Sequence, residues 1–148
     1  MAKLFVEWTD ALSVGIQEID EQHKILIGLI NRLFDETVVN QASAEVTEEV
    51  LRELVEYTVV HFAVEESLFR IFDYPAIEAH MNLHTDLKTL VLDLQKKIKQ
   101  GETVVNSDLL MFLRKWLTNH ILKEDKLYAP FLIKQGVRSS WAKKSWFG

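Results

Sequence analysis

The stretch His61-Phe62-Ala63-Val64-Glu65-Glu66 is the part of this sequence that decides the fold and points to a site. It places a histidine and a glutamate four residues apart, inside a segment whose apolar residues have helical spacing. Residues four apart lie on one face of a helix, one turn from each other. Such a pair can bind one metal ion together, or one side chain can orient the other. The pair alone is a weak signal, and the other histidines of the chain strengthen it.

Four segments repeat apolar residues at the three- and four-residue spacing of an amphipathic helix. The first runs from Ile16, the second follows Ser43, the third follows Pro75, and the fourth starts at Asn106 or Ser107. Glycine occurs five times and proline twice, and this scarcity favours long helices with few turns. Four helices with short connections predict an all-α fold, an up-down-up-down antiparallel four-helix bundle.

The length of 148 residues is that of one ordinary domain. We expect a single domain over residues 1–148, with the bundle at about 13–135. An N-terminal arm should precede the bundle, and a basic, aromatic C-terminal tail should follow it at 137–148.

The composition excludes several classes of function. A formal net charge of -5 argues against nucleic acid or an anionic membrane as the main partner. The absence of cysteine excludes disulfides, thiolate metal sites and thiol catalysis. No apolar run approaches the roughly 20 residues of a membrane helix, and the N-terminus lacks the apolar core of a signal peptide. We therefore expect a cytoplasmic protein. We also expect it to be a monomer.

Each predicted helix contributes at least one histidine in or beside its apolar seam. A neutral imidazole that is buried without partners leaves a donor and an acceptor unpaired, at roughly 1–3 kcal/mol for each group. Five such penalties would remove much of a typical stability of about 5–15 kcal/mol. A bound metal would satisfy the imidazoles together, because imidazole is a ligand for iron, copper, nickel and zinc. The five candidates are His23, His61, His80, His84 and His120.

Carboxylates beside two of these histidines indicate a site for two metal ions. Glu65 lies one turn after His61, and a second carboxylate follows His120. Five histidines and two bridging carboxylates are too many ligands for one ion. Together with an oxo or hydroxo bridge, they fill all but one position of two six-coordinate ions. A small molecule such as O2 could bind at the open position.

Helix geometry alone leaves the identity of the second carboxylate open. Glu124 follows His120 by four residues, and on a straight helix it lies about 40° away around the axis. Asp125 follows by five residues and lies about 140° away. A π-type bulge would bring Asp125 onto the face of His120, and such bulges are frequent at functional sites.

The complete pattern resembles that of the hemerythrin family, in its single-domain bacterial form. That family has a lone histidine on the first helix, His-x-x-x-Glu on the second, His-x-x-x-His on the third and His-x-x-x-x-Asp on the fourth. Flanking segments such as Ile19-Asp20-Glu21-Gln22-His23 and Tyr74-Pro75 are also similar, and the resemblance covers about residues 5–130. The matching positions here are His23, His61 with Glu65, His80 with His84, and His120 with Asp125.

The resemblance selects Asp125 over Glu124 and implies two non-haem iron ions bridged by Glu65, Asp125 and an oxygen atom. It also implies a division of the histidines: His80, His84 and His120 on a coordinatively full iron, and His23 and His61 on the open one. Reversible O2 binding for storage, transport or delivery is then the expected function, without enzymatic activity.

A reversible O2 binder needs a dry, apolar pocket beside the open metal position. Apolar residues near the histidines match the oxygen-pocket positions of the family, although apolar residues at helical spacing usually belong to the core. The five expected pocket residues are Leu26, Phe62, Trp116, Leu117 and Ile121.

Two other functions are compatible with the same bundle. One is a di-iron oxidase, a peroxidase or an enzyme that handles nitric oxide. Ferritin-like oxidases use Glu-x-x-His pairs and more carboxylates, and this histidine-rich chain lacks those pairs. The other is a sensor of O2, redox state or iron that acts through a separate signalling protein. For the carrier, a protein partner that consumes O2 is expected instead.

Overall fold

The computed structural model describes residues 4–136, and the predicted tail at 137–148 lies outside the described residues. Five α-helices follow a short 3-10 helix, Asp10–Leu12. They are α1 (Gln17–Phe34), α2 (Ala44–Ile71), α3 (Ile77–Lys99), α4 (Ser107–Asn119) and α5 (Lys126–Lys134). A π-helical segment, His120–Asp125, joins α4 to α5, so these three elements form the fourth helix of the bundle. A second π segment, Asp35–Val39, extends α1.

The predicted all-α four-helix bundle is confirmed, and no strand occurs within residues 4–136. Helix α1 packs against α2 and α4, and α2 packs against α3. Over the same residues, no helix is both long enough and apolar enough to cross a membrane.

Local signals fix where the helices begin and end. The Ser43 hydroxyl accepts a hydrogen bond from the Val46 amide and caps α2. The Asn106 Oδ1 atom accepts from the Leu109 amide at 3.0 Å and caps α4. Gly101, with a φ of 77°, adopts the left-handed conformation that ends α3. The helices are joined by short connections at 40–43, 72–76 and 100–106, so consecutive helices run antiparallel.

The N-terminal arm is also confirmed, and it lies across α1 and α4. The Asn31 side chain brackets the Val6 backbone: its Oδ1 accepts from the Val6 amide at 2.7 Å, and its Nδ2 donates to the Val6 carbonyl at 2.8 Å. Phe5 stacks on Phe34 with ring centroids 4.5 Å apart, and the Arg114 guanidinium lies over the Phe5 ring. These contacts hold the arm on the outside of the bundle.

The core consists of apolar layers on both sides of a polar layer. Towards one end of the bundle lie Ile30, Leu33 and Val50, and towards the other lie Phe69 and Tyr128, all of them buried. The polar layer between them contains the five histidines, which are buried at the inward positions that the apolar spacing predicts. The fold thus places every histidine of the chain at one level of the bundle.

Candidate metal centre

All seven predicted ligands meet in the buried polar layer, and none of them is more than 5% exposed. Their ligand atoms form two overlapping groups, each compact enough to surround one metal ion. The two groups share Glu65 and Asp125. The larger group adds His80, His84 and His120, and the smaller adds His23 and His61.

The π segment explains why Asp125 belongs to this cluster. It spans His120–Asp125, so one turn of the helix accommodates an extra residue. The Asp125 Oδ1 atom then lies 3.0 Å from His120 Nε2, and Asp125 is fully buried. Glu124 is only half-buried and belongs to neither group. The bulge that the sequence left as an alternative is therefore present.

The two Asp125 oxygens face different groups. Oδ2 lies 2.9 Å from His23 Nε2, whereas Oδ1 lies 3.2 Å from His80 Nε2, in addition to His120. The Glu65 Oε1 atom lies 3.3 Å from His61 Nε2 and 3.2 Å from His84 Nε2, so it approaches a histidine of each group. Both carboxylates are therefore placed between the two groups.

The polar atoms of this cluster are close together, yet they are not hydrogen-bonded to one another. The Nε2 atoms of His23, His80, His84 and His120 and all four oxygens of Glu65 and Asp125 are buried without a hydrogen-bond partner. Buried polar atoms in native proteins are normally paired. Metal–ligand bonds of about 2.1 Å would place neighbouring ligand atoms of an octahedral ion about 3 Å apart. The separations of 2.9–3.3 Å therefore fit bound metal ions.

Both carboxylates favour their charged form in spite of their burial. Burial alone would raise the pKa of Asp125, but His120, His23 and His80 together lower it well below its ordinary value. Burial and Asp125 would likewise raise the pKa of Glu65, but His61 and His84 lower it. The cluster thus combines two negative charges with nitrogen donors, which suits divalent transition-metal ions.

The histidines respond to their surroundings in different ways. Burial lowers the pKa of His61 to about 4, so this imidazole is neutral near pH 7 and can offer a lone pair to a metal. Burial also acts to lower the pKa of His120, but Asp125 outweighs it and raises that pKa.

Three further residues contact the cluster, and none of them was among the predicted site residues. The Gln22 Oε1 atom lies 2.6 Å from His61 Nδ1, and Glu66 Oε2 lies 3.1 Å from His84 Nδ1. Tyr128 is fully buried against His80. Burial, and then Glu65 and Asp125, raise the pKa of Tyr128 well above its ordinary value, so its hydroxyl keeps its proton. The only signal in the sequence was proximity, because each residue lies within three positions of a predicted ligand.

The expected oxygen-pocket residues are inward-facing, and two of them stack on histidines. Phe62 stacks on His84 with ring centroids 3.7 Å apart, and Trp116 stacks on His120 at 4.6 Å. Both aromatic rings therefore pack against histidines of the larger group, whereas the oxygen pocket was expected beside the smaller group. Leu26, Leu117 and Ile121 are buried.

An apolar cavity lies about one helical turn from the cluster. Its wall includes Leu26, Thr58 and Leu117, each of which is three residues along the chain from a clustered histidine. Its volume is about 30 Å³, and it is lined from all four helices. Three pocket residues, Leu26, Trp116 and Leu117, are part of its wall, whereas Phe62 and Ile121 are not. The Thr58 hydroxyl in the wall already donates to the Leu54 carbonyl at 2.7 Å. A buried water needs two to four polar partners, so this cavity favours a small apolar guest over water.

The fold and the cluster together define a four-helix bundle protein with a buried histidine and carboxylate site that is able to hold metal. The family model of the hemerythrin HHE cation binding domain matches residues 14–132. The chain belongs to the hemerythrin family.

Individual relatives agree with this assignment. A bacteriohemerythrin of Methylococcus capsulatus is 39% identical over 126 residues, which cover 84% of this chain and 95% of that protein. A bacteriohemerythrin of Pseudomonas aeruginosa is 34% identical over 93% of both chains. A crystal structure of wild-type hemerythrin superposes with a TM-score of 0.82 at 36% identity, over 86% of this chain and 98% of that one. These relatives are hemerythrins, and the matching family model is that of a cation binding domain, in agreement with the prediction of a binding protein.

The choice between the two neighbouring carboxylates can be tested by substitution. We expect Asp125→Ala to lose most of its bound metal, because both groups lose a shared ligand. Glu124→Ala should retain wild-type metal content, since its side chain lies outside both groups. Metal per chain after loading with ferrous iron without air provides the measurement. A greater loss in Glu124→Ala would contradict the assignment.

The metal-free protein should lose stability as the pH falls from about 6.5 towards 4. In that window His61 is neutral in the folded protein, where its pKa is about 4, and protonated in the unfolded chain, which therefore binds more protons. Between pH 7 and pH 4.5 this group should account for a loss of about 2–3 kcal/mol in the free energy of unfolding.

Urea unfolding at the two pH values would measure this loss, with His61→Gln as the comparison. Glutamine does not titrate in this range, so the variant should lose about 2–3 kcal/mol less than the wild type. The opposite titration of His120 is present in both proteins and largely cancels in the difference. Equal losses would show that His61 does not carry the effect.

Proposed function

We propose that this protein binds O2 reversibly at a di-iron centre, for storage, transport or delivery of oxygen. The observation that carries the proposal is the unequal division of the ligand cluster. The two groups share both carboxylates, but one has three histidines and the other has two. If the bridging ligands are common to both ions, the group with His23 and His61 has one coordination position left for an external ligand.

Histidine with carboxylate donors is a ligand set that iron accepts, and family membership supports iron over other transition metals. We propose that His80, His84 and His120 hold the coordinatively full iron, and that His23 and His61 hold the open one. Glu65 and Asp125 would bridge the two ions. A ferrous pair held there would supply the electrons and the open position that reversible O2 binding requires.

The chain's own contribution is to exclude water and to orient the ligands. Buried Leu26 and Leu117 and the half-buried Trp116 border an apolar cavity about one helical turn from the histidines. O2 is a small apolar molecule, so an apolar cavity admits it while it disfavours water and free protons. Tyr128, whose hydroxyl stays protonated, is buried against His80. By limiting water and protons at the site, the apolar wall favours reversible release of O2 over its loss as peroxide.

Residues 1–148 would then act as one oxygen-binding domain. Cytoplasmic location, monomeric state and a protein partner that consumes O2 or carries a signal stay predictions from the sequence.

A visible absorption band should appear when O2 is added to the ferrous-loaded protein, and it should disappear when argon removes the O2. The full chain is loaded without air and cycled several times in a spectrophotometer. Recovery of the original spectrum in each cycle is the expected result. A band that persists under argon, or decays while peroxide accumulates, would overturn reversible binding and favour oxidase chemistry.

A polar group in the cavity wall should shorten the life of the oxygenated protein. Leu117→Asn keeps the branched shape of the side chain but introduces an amide that can recruit water. We expect the O2-dependent band to decay roughly tenfold to a hundredfold faster than in the wild type. Leu122→Asn is the control, because Leu122 is 39% exposed on the same helix and should leave the decay unchanged. Equal decay in all three proteins would contradict a protective role for this wall.

A further inference from the structure

Two of the clustered histidines have a side-chain oxygen behind the ring, on the side away from the carboxylates. Gln22 Oε1 lies 2.6 Å from His61 Nδ1, and Glu66 Oε2 lies 3.1 Å from His84 Nδ1. These oxygens only accept hydrogen bonds, so each one places the ring proton on Nδ1. The lone pair of each ring is then on Nε2, which faces Glu65 in both cases.

Each contact joins a neighbour of one ligand to a ligand on the next helix. Gln22 precedes His23 on α1 and reaches His61 on α2. Glu66 follows Glu65 on α2 and reaches His84 on α3. The orientation of an imidazole is thus fixed by the same helix pair that brings the ligands together.

The two contacts differ in charge, and they involve histidines of different groups. Glu66 is a carboxylate, 12% exposed, and it contacts a histidine of the three-histidine group. Gln22 is a neutral amide, and it contacts a histidine of the two-histidine group. A carboxylate on the distal nitrogen raises the basicity of a ligating imidazole, whereas an amide does so less. Its negative charge in a poorly solvated site also stabilises a more positive metal.

We propose that Glu66 and Gln22 are positioning residues that tune the two metal positions unequally. Glu66 strengthens His84 as a donor and favours the ferric state at the three-histidine position. Gln22 orients His61 without added charge and leaves the two-histidine position more readily ferrous. This inference rests on the proposed di-iron function.

The test is a mediated redox titration of the iron-loaded full chain, followed by its absorption spectrum. Glu66→Gln keeps the acceptor and the side-chain shape but removes the charge. We expect at least a tenfold smaller preference for ferric over ferrous iron, which raises a one-electron midpoint potential by about 59 mV. Gln22→Glu adds a negative charge behind His61 and should lower the midpoint potential of the iron at the two-histidine position.

Glu45→Gln provides a matched loss of charge on the same helix. Glu45 is exposed in the first turn of α2, 21 residues or about 30 Å from Glu66, and it should leave both potentials unchanged. Shifts in Glu66→Gln and Gln22→Glu that do not exceed the shift in Glu45→Gln would overturn the proposal. If Glu66→Gln fails to hold iron, Gln22→Glu decides alone: a lowered potential supports the proposal, and an unchanged one overturns it.

The same experiment separates this inference from the proposed function. Redox potentials are measurable whether or not the wild type binds O2 reversibly. If the potential rises in Glu66→Gln and falls in Gln22→Glu, but the wild type shows no reversible O2 band, the carrier function is refuted and the tuning by Glu66 and Gln22 is supported. If the O2 band is reversible but neither potential shifts, the carrier function is supported and the tuning is refuted.

Discussion

The burial of two ionised carboxylates, Glu65 and Asp125, is the constraint on which the rest of the structure depends. An unpaired charge in an apolar interior is strongly disfavoured, and the loss of one partner of a buried pair costs about 3–5 kcal/mol. Five imidazoles surround the two carboxylates and lower the pKa of both. Because all four helices of the bundle contribute to this layer, its geometry restricts the rotation and height of each helix relative to the others.

The apolar layers on either side make that arrangement useful for chemistry. They keep water from the cluster, which strengthens each electrostatic interaction inside it. The same burial keeps His61 neutral and Tyr128 protonated, so the ring can offer a lone pair and the hydroxyl can donate a hydrogen bond. The apolar cavity then gives small apolar molecules a place about one helical turn from the polar site. The apolar layers on either side of the histidines are thus the common cause of three properties. They are the low dielectric of the site, the fixed protonation states and the access for apolar molecules.

The sequence was sufficient to predict the helices and the inward position of every histidine, because the period of burial is a local property of each helix. Other features depend on how the helices are offset along the bundle, and a single-helix pattern does not contain that offset. The stacking of Phe62 on His84 is one example, and the contacts of Gln22 and Glu66 with rings on the next helix are others. Both polar residues looked like ordinary surface positions beside stronger candidates.

The π segment shows how local irregularity and side-chain length combine in this site. Helix α2 presents His61 and Glu65 with the regular spacing of four residues, and glutamate has two methylene groups with which to reach the cluster. The fourth helix presents His120 and Asp125 with a spacing of five, and aspartate has one methylene group fewer. On a regular helix Asp125 would lie about 140° from His120.

The wider turn of the π segment rotates Asp125 inward, where its two oxygens face different groups. A regular helix would instead place Glu124 nearest to His120, with a longer and more flexible side chain between the groups. The bulge thus places a short carboxylate side chain, with fewer rotatable bonds, at the position that must contact histidines from three helices.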